Sequence, residues 1–342
     1  MWHPKYTITN KMLHCLRQIG EAMGVVKSIN ISGDNLVELK YQARVLSSFA
    51  STSIEGNPLP LTDVKRLIKQ SPKVIRDTEK EIINYNKALV YINKKVKAGQ
   101  FKLSHSEITH IQSLVVDGLM ANSADVGKYR KRAVVIRDPR SASDIRFIPP
   151  DYKDVKPLMD NLINFINRNV GKIDAILLAG LFHKQYVIIH PFMDGNGRTT
   201  RLITTALLGS LGFNLLEIFS LENYYNQNVS KYFDYVGAVG DYYETKNDLD
   251  FTNWLEYFAD GLLDELKRVQ KTLPNFTKPP RLEKHHQDIL KFIEKSGSIS
   301  QKEYTNISNR SLAARKQDFK KLVEIGLISA EGKGKATYYV KL

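Results

Sequence analysis

A helical apolar run that ends at a proline is the feature that most constrains this chain. Residues 173–189 keep apolar side chains at helical spacing, and Pro191 follows His190 directly. Because the residue before a proline is disfavoured in the α region, this pattern predicts a helix that ends at His190. The Gly-Asn-Gly stretch at 195–197 tolerates positive φ and leads into another helical pattern. The sequence therefore predicts a helix-loop-helix within a mainly α chain.

The loop and the first turn of the second helix bring polar and charged groups together. Successive backbone N–H groups of residues 195–197 can converge on an anion at the positive end of the helix dipole. Arg198 and Arg201 lie on one face of that helix, which suits a polyphosphate. His190 is placed to take the proton of an incoming hydroxyl, and Asp194 to bind a divalent cation on phosphate oxygens. These groups fit transfer from a nucleotide to a hydroxyl.

Other nucleotide-binding patterns are missing from the sequence. It contains no G-x-x-x-x-G-K-[ST] run, and no strand pattern leads into G-x-G-x-x-G. Kinase, P-loop NTPase and dinucleotide-enzyme assignments therefore lose their main support.

Residues 190–198 match the pattern H-x-F-x-[DE]-G-N-G-R at every fixed position, and Arg201 extends the match. On this run the chain resembles the Fic (Fic/Doc) family. The resemblance implies a Fic-type helical bundle with a β-hairpin flap. It also implies transfer of AMP from ATP to a Ser, Thr or Tyr hydroxyl of a target protein or of the chain itself, with release of pyrophosphate. The implied roles are His190 as the base, Asp194 as the Mg²⁺ ligand, Gly195, Asn196 and Gly197 as the hole for the α- and β-phosphates, and Arg198 and Arg201 as the clamp on the β- and γ-phosphates.

A second motif lies far upstream, where segment 51–57 matches [ST]-x-x-x-E-[GN] through Ser51, Glu55 and Gly56. In the family it resembles an inhibitory helix. Glu55 would pair with Arg201, occupy the space of the γ-phosphate and prevent in-line attack at the α-phosphorus. The alternative interpretation is an ordinary helix end, with Gly56 as the cap and Glu55 in solvent. The two interpretations are compatible, because the cap would fix where Glu55 points.

Two further elements of the core are predicted from their resemblance to the family. The runs on either side of Asp138-Pro139 indicate a hairpin over about 133–148, which resembles the flap that aligns a target segment by strand addition. An ordinary surface hairpin is the alternative. Tyr232 follows the motif helix and is predicted on the adenine side of the site, although a helical aromatic stripe is also typical of a core.

The last part of the chain has a different pattern. Three prolines within 272–281 predict a linker. Residues 282–342 predict three helices, the third from Ser308 to Gly326, and two short strands, which resembles a winged helix-turn-helix. Basic residues on the third helix and the wing suit a DNA duplex, although dimerisation or target docking is an alternative. These residues are Arg310, Arg315, Lys316, Lys320, Lys321, Lys333 and Lys335. The sequence thus predicts four parts, namely a helical region 1–103, a catalytic core 104–271, the linker 272–281 and the domain 282–342.

The composition restricts the class of protein to which this chain can belong. The chain has 342 residues, 42% of them hydrophobic, with a formal net charge of +14. No apolar run is long enough to cross a bilayer and no signal peptide precedes the first helical pattern, so we expect a mature start near Met1 and no membrane partner. A lone Cys15 requires no oxidising compartment and indicates a buried small hydrophobe, which favours the cytoplasm.

Alternative functions remain beside the autoinhibited adenylyltransferase. The same site could remove AMP or transfer another phosphate-containing group. A non-enzymatic alternative is a transcriptional regulator that senses nucleotide and binds DNA through the C-terminal domain. His190 argues against a pure sensor, which has no need of a base beside the phosphates. A homo-oligomer is compatible with each of these functions.

Overall fold

The computed structural model describes residues 2–29, 31, 33–70, 76–138, 141–213, 216–274, 282–324, 327–332, 334 and 337–341. The protein is mainly helical, as predicted. The helices of the first part are α1 Asn10–Ser28, α2 Gly33–Ile54, α3 Leu61–Gln70, α4 Asp77–Lys97, α5 His105–Val115, α6 Tyr152–Asn169, α7 Ala175–Ile189, α8 Asn196–Ser210, α9 Leu221–Gln227, α10 Val229–Val236, α11 Tyr242–Thr245 and α12 Thr252–Thr272. The last part adds α13 Lys284–Ser296, α14 Gln301–Ile307 and α15 Leu312–Glu324.

Helix α7 forms the centre of the core. Every residue of α7 is buried except Ala175 and Val187, because its sequence is apolar on nearly all faces. Gly180 permits the close approach of α12, since a Cβ there would lie 2.7 Å from Leu255 Cδ2. Trp254 of α12 closes this contact by donating from Nε1 to the carbonyl of Gly180 at 2.8 Å. The buried pair α7 and α8 is therefore a rigid base for the loop between them.

A small sheet borders the same loop. Strand β1, Ile136–Asp138, pairs antiparallel with β2, Ser141–Ile148, and β2 pairs parallel with β3, Gly240–Asp241. The hairpin predicted over about 133–148 is present, and residues 139–140 between its strands lie outside the described part of the chain. β1 is shorter than the β-branched run before Asp138 suggested. Upstream of β1, the N–H of Arg130 donates to Pro191 O at 2.9 Å.

The chain divides into two compact units. One consists of Met1–Val25 and Gln42–Val269, and the other of Val26–Tyr41 and Gln270–Leu342. The predicted four-part division stays a prediction, and most of its linker, residues 275–281, lies outside the described chain. Cys15 is buried, as the sequence predicted.

The second unit contains the predicted order of three helices and two strands. It also has a short strand β4, Ile299–Ser300, which pairs with β6, Tyr338–Lys341, while β5, Ile328–Glu331, pairs with the other edge of β6. Its core is a cluster of buried side chains that includes Ile289, Tyr304 and Phe319. The winged-helix assignment stays a prediction, and Lys333 and Lys335 lie outside the described residues.

One boundary in this unit was wrong. The third helix was predicted from Ser308, but α15 begins at Leu312, because Ser311 caps it by accepting from the N–H of Ala314 at 3.3 Å. Arg310 therefore precedes the helix. Its guanidinium pairs with the buried Asp318 at 2.8 Å and does not extend from the face that was predicted to contact DNA.

None of the helices in the described part of the chain combines the length and the apolar character needed to cross a bilayer.

Candidate active site

His190 caps α7 in a left-handed conformation. Its φ is 50°, and among the described residues no other residue except glycine has a positive φ. Arg130 stabilises this turn, because its Nε donates to the carbonyl of His190 at 2.9 Å. Further hydrogen bonds join the Arg130 guanidinium to the carbonyls of Arg132 and Pro150. Strained backbone of this kind persists where the surrounding structure fixes it, and it is frequent at functional sites.

The imidazole of His190 contacts a backbone carbonyl that favours one tautomer. Its Nδ1 lies 3.4 Å from the carbonyl of Val187, and a carbonyl only accepts, so Nδ1 carries the proton and Nε2 has the lone pair. Burial lowers the pKa of His190 to about 4, and the nearby charge of Arg130 acts in the same direction. At neutral pH the ring can therefore accept a proton.

The turn that follows His190 is held by Asn196. The amide of Asn196 both accepts from the N–H of Phe192 and donates to its carbonyl, each at 2.9 Å, and Phe192 is fully buried. Gly195 has φ 77°, and a Cβ there would lie 2.7 Å from Val116 Cγ1, so a glycine is required. The result is a compact turn whose N–H groups open at the first turn of α8, as an anion site requires.

Glu55 lies directly over this helix start. Its Oε1 accepts from Nη2 of Arg201 at 2.7 Å, and a Cβ on Gly197 would overlap that oxygen. Ser51 binds the same guanidinium, because its Oγ accepts from Nε at 2.8 Å and its carbonyl from Nη2 at 2.9 Å. Gly56 follows with φ 94°, so the helix-cap interpretation also agrees with the geometry. The carboxylate thus occupies the position that the sequence assigned to a phosphate.

The ion pair between Glu55 and Arg201 lies at the edge of the cavity, and its guanidinium is removed from water. Burial alone would raise the pKa of Glu55, but the charges of Arg201 and Arg198 outweigh it and lower the pKa. In return, Glu55 keeps the pKa of Arg201 above its ordinary value although burial opposes this. The side chain of Arg201 is 1% exposed and that of Glu55 is 29% exposed, which is consistent with a carboxylate at the edge of a cavity.

Arg198 and Asp194 contact each other on the far side of the turn. Nη2 of Arg198 donates to Oδ1 of Asp194 at 3.2 Å, and Nη1 donates to Glu81 of α4. The N–H of Gly195 also donates to Oδ1 of Asp194. Since the side chain of Asp194 is 54% exposed, its carboxylate remains accessible to a hydrated cation.

A cavity of about 230 Å³ lies beside His190, Glu55 and Arg201. Its walls contain Glu55, His190, Asn196, Gly197 and Arg201 from the two motifs, together with Ile136, Arg137, Arg146 and Phe147 from the hairpin. Neither Asp194 nor Arg198 is among the residues that form these walls. The hairpin therefore borders the cavity, as the flap prediction requires.

Tyr232 also lines the cavity, which is compatible with both of its predicted roles. Its ring stacks on Tyr225 with centroids 4.4 Å apart, and its hydroxyl lies 3.0 Å from Nε2 of His183. With 1% exposure it is a core residue with one edge at the cavity. The adenine contact stays a prediction.

The sequence motifs did not indicate Arg130 and Glu81. Arg130 holds the strained turn, and Glu81 binds one edge of Arg198. Arg130 lies in the basic run 128–132. Because the partners of Arg130 are backbone carbonyls, no sequence motif distinguishes it from its basic neighbours. Glu81 is one of three carboxylates near the start of a lysine-rich helix, and such residues are usually solvated surface residues.

Comparisons with known proteins agree with this geometry. Residues 102–208 match the model of the Fic/DOC family. "Protein adenylyltransferase Fic" of Aedes aegypti is 24% identical over 257 residues, which cover 74% of this chain and 46% of that protein. The protein of the same name from Nematostella vectensis is 27% identical over 169 residues, or 48% of this chain and 37% of that protein. The chain thus spans about half or less of these curated relatives.

The chain therefore contains a Fic/DOC domain over residues 102–208. The crystal structure of a Fic family protein from Desulfovibrio desulfuricans G20 has the same fold, with a TM-score of 0.68, 20% identity and coverage of 100% of this chain and 98% of that one. The matched Fic region begins just before α5 and ends within α8, so it contains the hairpin, His190 and the turn at 195–197. Segment 51–57, which supplies Glu55, lies outside the matched region.

Proposed function

We propose that the chain is an autoinhibited protein adenylyltransferase that transfers AMP from ATP to a Ser, Thr or Tyr hydroxyl of a target protein. The observation that carries the proposal is the position of His190, held in a left-handed cap on the same cavity as Asn196 and Gly197 of the turn 195–197. The names of the Aedes and Nematostella relatives support the same activity. Modification of the chain itself follows the same chemistry when its own hydroxyl enters the site.

Each set of residues has a separate role in the proposed reaction. Nε2 of His190 takes the proton of the target hydroxyl as its oxygen bonds to the α-phosphorus, and the bond to the oxygen bridging the α- and β-phosphates breaks to release pyrophosphate. The N–H groups at residues 195–197 stabilise charge on the α- and β-phosphates. Arg198 and Arg201 hold the β- and γ-phosphates once Glu55 has left them.

The residues present also fit a Mg²⁺ ion. Asp194 offers an exposed hard oxygen ligand beside the phosphate site, which is the donor type that Mg²⁺ prefers in combination with substrate phosphates and water. When bound, the ion neutralises charge on the phosphate oxygens. Asp194 would then exchange its contact with Arg198 for the metal.

Inhibition follows from the position of Glu55. A carboxylate paired with Arg201 over the N-terminus of α8 competes with a phosphate for the same donors. ATP can then bind only with its γ-phosphate displaced, in a pose where the target hydroxyl cannot attack in line. The hairpin supports a protein substrate, because β1 is an edge strand of its sheet and an extended target segment can pair with it.

The test is transfer of label from α-labelled ATP with Mg²⁺, with the intact mass of each protein. Wild type, Glu55→Gly and Glu55→Gly/His190→Ala are compared. We expect label on Glu55→Gly far above wild type and none on the double variant, which should still bind ATP because His190 acts on the hydroxyl. Absence of label on all three, despite ATP binding, would contradict the proposal. It would favour AMP removal, another phosphate-containing donor or a nucleotide-sensing regulator.

Further measurements test the remaining alternatives. Loss of AMP from a pre-modified protein by wild type, but not by His190→Ala, would identify removal as the reaction. DNA contact through the C-terminal unit is tested by the affinity for a random duplex, which should fall steeply from low to physiological salt. A cytoplasmic location and a homo-oligomer are the accompanying expectations, and sedimentation of the intact chain tests the latter.

A further inference from the structure

Arg198 has a carboxylate partner that the motif does not contain. Its Nη1 donates to Oε1 of Glu81, in addition to the contact of Nη2 with Asp194 at 3.2 Å. The side chains of Arg198 and Glu81 are 5% and 19% exposed, whereas that of Asp194 is 54% exposed. Because water and salt weaken exposed ion pairs, Glu81 is the stronger of the two anchors.

Glu81 also contacts the end of segment 51–57. Its Oε2 accepts from Nδ2 of Asn57 at 2.7 Å, and the same nitrogen donates to the carbonyl of Thr78 at 2.8 Å. Oδ1 of Asn57 accepts from the N–H of Leu59 at 3.1 Å, and Asn57 is only 9% exposed. The amide group of Asn57 therefore attaches the residues that follow Glu55 in sequence to helix α4.

The two arginines are thus held in different ways. Glu55 and Arg201 meet at the cavity wall, so an incoming phosphate can displace that carboxylate. The contact of Arg198 with Glu81 lies away from the cavity walls and uses one edge of the guanidinium. A planar guanidinium fixed along one edge presents its remaining donors in a defined direction.

We propose that Glu81 is the positioning residue for Arg198, and that through Asn57 it couples segment 51–57 to the phosphate clamp. Glu81 holds the guanidinium when Asp194 exchanges Arg198 for a metal ion. Loss of the Asn57 contact loosens the segment that carries Glu55. The inference rests on the proposed function, but its first test requires no turnover.

Nucleotide affinity tests the positioning role. Glu55→Gly and Glu55→Gly/Glu81→Gln are titrated calorimetrically, with Mg²⁺, using a non-hydrolysable ATP analogue and separately AMP. We expect Glu81→Gln to weaken binding of the ATP analogue about tenfold, because a charge-assisted anchor of Arg198 is lost, and to leave AMP affinity within about twofold. Equal loss for both ligands, or no loss for either, overturns the proposal.

A neighbouring carboxylate provides the control. Glu79 caps α4 by accepting from the N–H of Arg76 at 2.8 Å, so Glu79→Ala weakens the same helix without touching Arg198. It should change both affinities equally or not at all, and an ATP-specific loss in Glu79→Ala also overturns the proposal. If Glu81→Gln fails to fold, Glu81→Asp replaces it, with the same requirement for a loss confined to the ATP analogue.

Activity tests the coupling through Asn57. In the protein that retains Glu55, Asn57→Ala should raise AMP transfer severalfold above wild type, and unchanged transfer overturns the link. The two proposals can fail separately. A Glu55→Gly protein that transfers no AMP, but loses ATP affinity selectively with Glu81→Gln, refutes the adenylyltransferase and leaves the positioning role intact.

Discussion

At the scale of single residues, the most consequential group is a histidine that the fold keeps uncharged. His190 sits in a conformation that favours glycine, and the carbonyl of its own residue is held by Arg130 at 2.9 Å. Both features fix the imidazole at the wall of the cavity, where burial disfavours its cationic form. A base that remains neutral well below pH 7 can accept a proton without first losing one.

Stability should therefore depend on pH through His190. Its pKa is about 4 in the folded protein against an ordinary value of 6.5, so the unfolded chain binds a proton first as the pH falls. Folding stability is then lost between about pH 6.5 and 4, by at most about 3 kcal/mol. Urea unfolding of wild type and His190→Ala should be measured at several pH values. As the pH falls through this window, the free energy of unfolding of wild type should decrease relative to that of His190→Ala. A constant difference would mean that the histidine titrates normally.

The sequence could predict some of these residues and not others, and the reason is distance along the chain. His190 and the turn at 195–197 belong to one contiguous run, where proline and glycine fix the backbone locally. The partner of Arg198 is 117 residues away and depends on how α4 packs against α8. No local pattern distinguishes that carboxylate from the exposed ones around it. Glu55 lies 146 residues from Arg201, and only its short motif predicted this contact.

At the scale of elements, the sequence pattern predicted which segments are helical better than it predicted what their side chains contact. The third helix of the C-terminal unit was expected to contain Arg310 among its DNA-facing residues. Instead, Arg310 donates through Nε and Nη2 to the two oxygens of Asp318, and the hydroxyl of Tyr304 donates to the same carboxylate at 2.8 Å. Asp318 is 3% exposed, so this arginine neutralises a buried charge.

Replacement of Arg310 should therefore act on folding rather than on DNA. Arg310→Met removes the arginine from the buried Asp318 and leaves it with Tyr304 and His285, so the cost should be below the about 3–5 kcal/mol of a fully uncompensated buried charge. Chemical denaturation should show the C-terminal unit unfolding earlier, while AMP transfer by the Glu55→Gly protein persists. The exposed Lys316→Met is the matched control with little effect on stability. An Arg310→Met protein of unchanged stability with reduced duplex affinity would restore the DNA role of this side chain.

At the scale of the whole molecule, the site is assembled from distant parts of the chain. The hydrogen bond between Arg201 and Ser51 joins residues 150 positions apart, and that between Arg201 and Glu55 joins residues 146 apart. Both lie within the compact unit that contains α7 and α8. Under the proposed function, regulation would depend on whether segment 51–57 or a nucleotide holds Arg201, as a competition for one buried guanidinium.

Ligand-linked stability measures that competition directly. A ligand present at 100 times its Kd stabilises the folded state by about 2.7 kcal/mol, and a competitor inside the protein raises the apparent Kd. At the same concentration of a non-hydrolysable ATP analogue, we expect a larger rise in Tm for Glu55→Gly than for wild type. Glu55→Gly/Arg201→Ala is the control, because without the clamp the rise should nearly vanish. Equal rises in wild type and Glu55→Gly, with transfer only in the variant, would show that Glu55 changes the pose of ATP without weakening its binding.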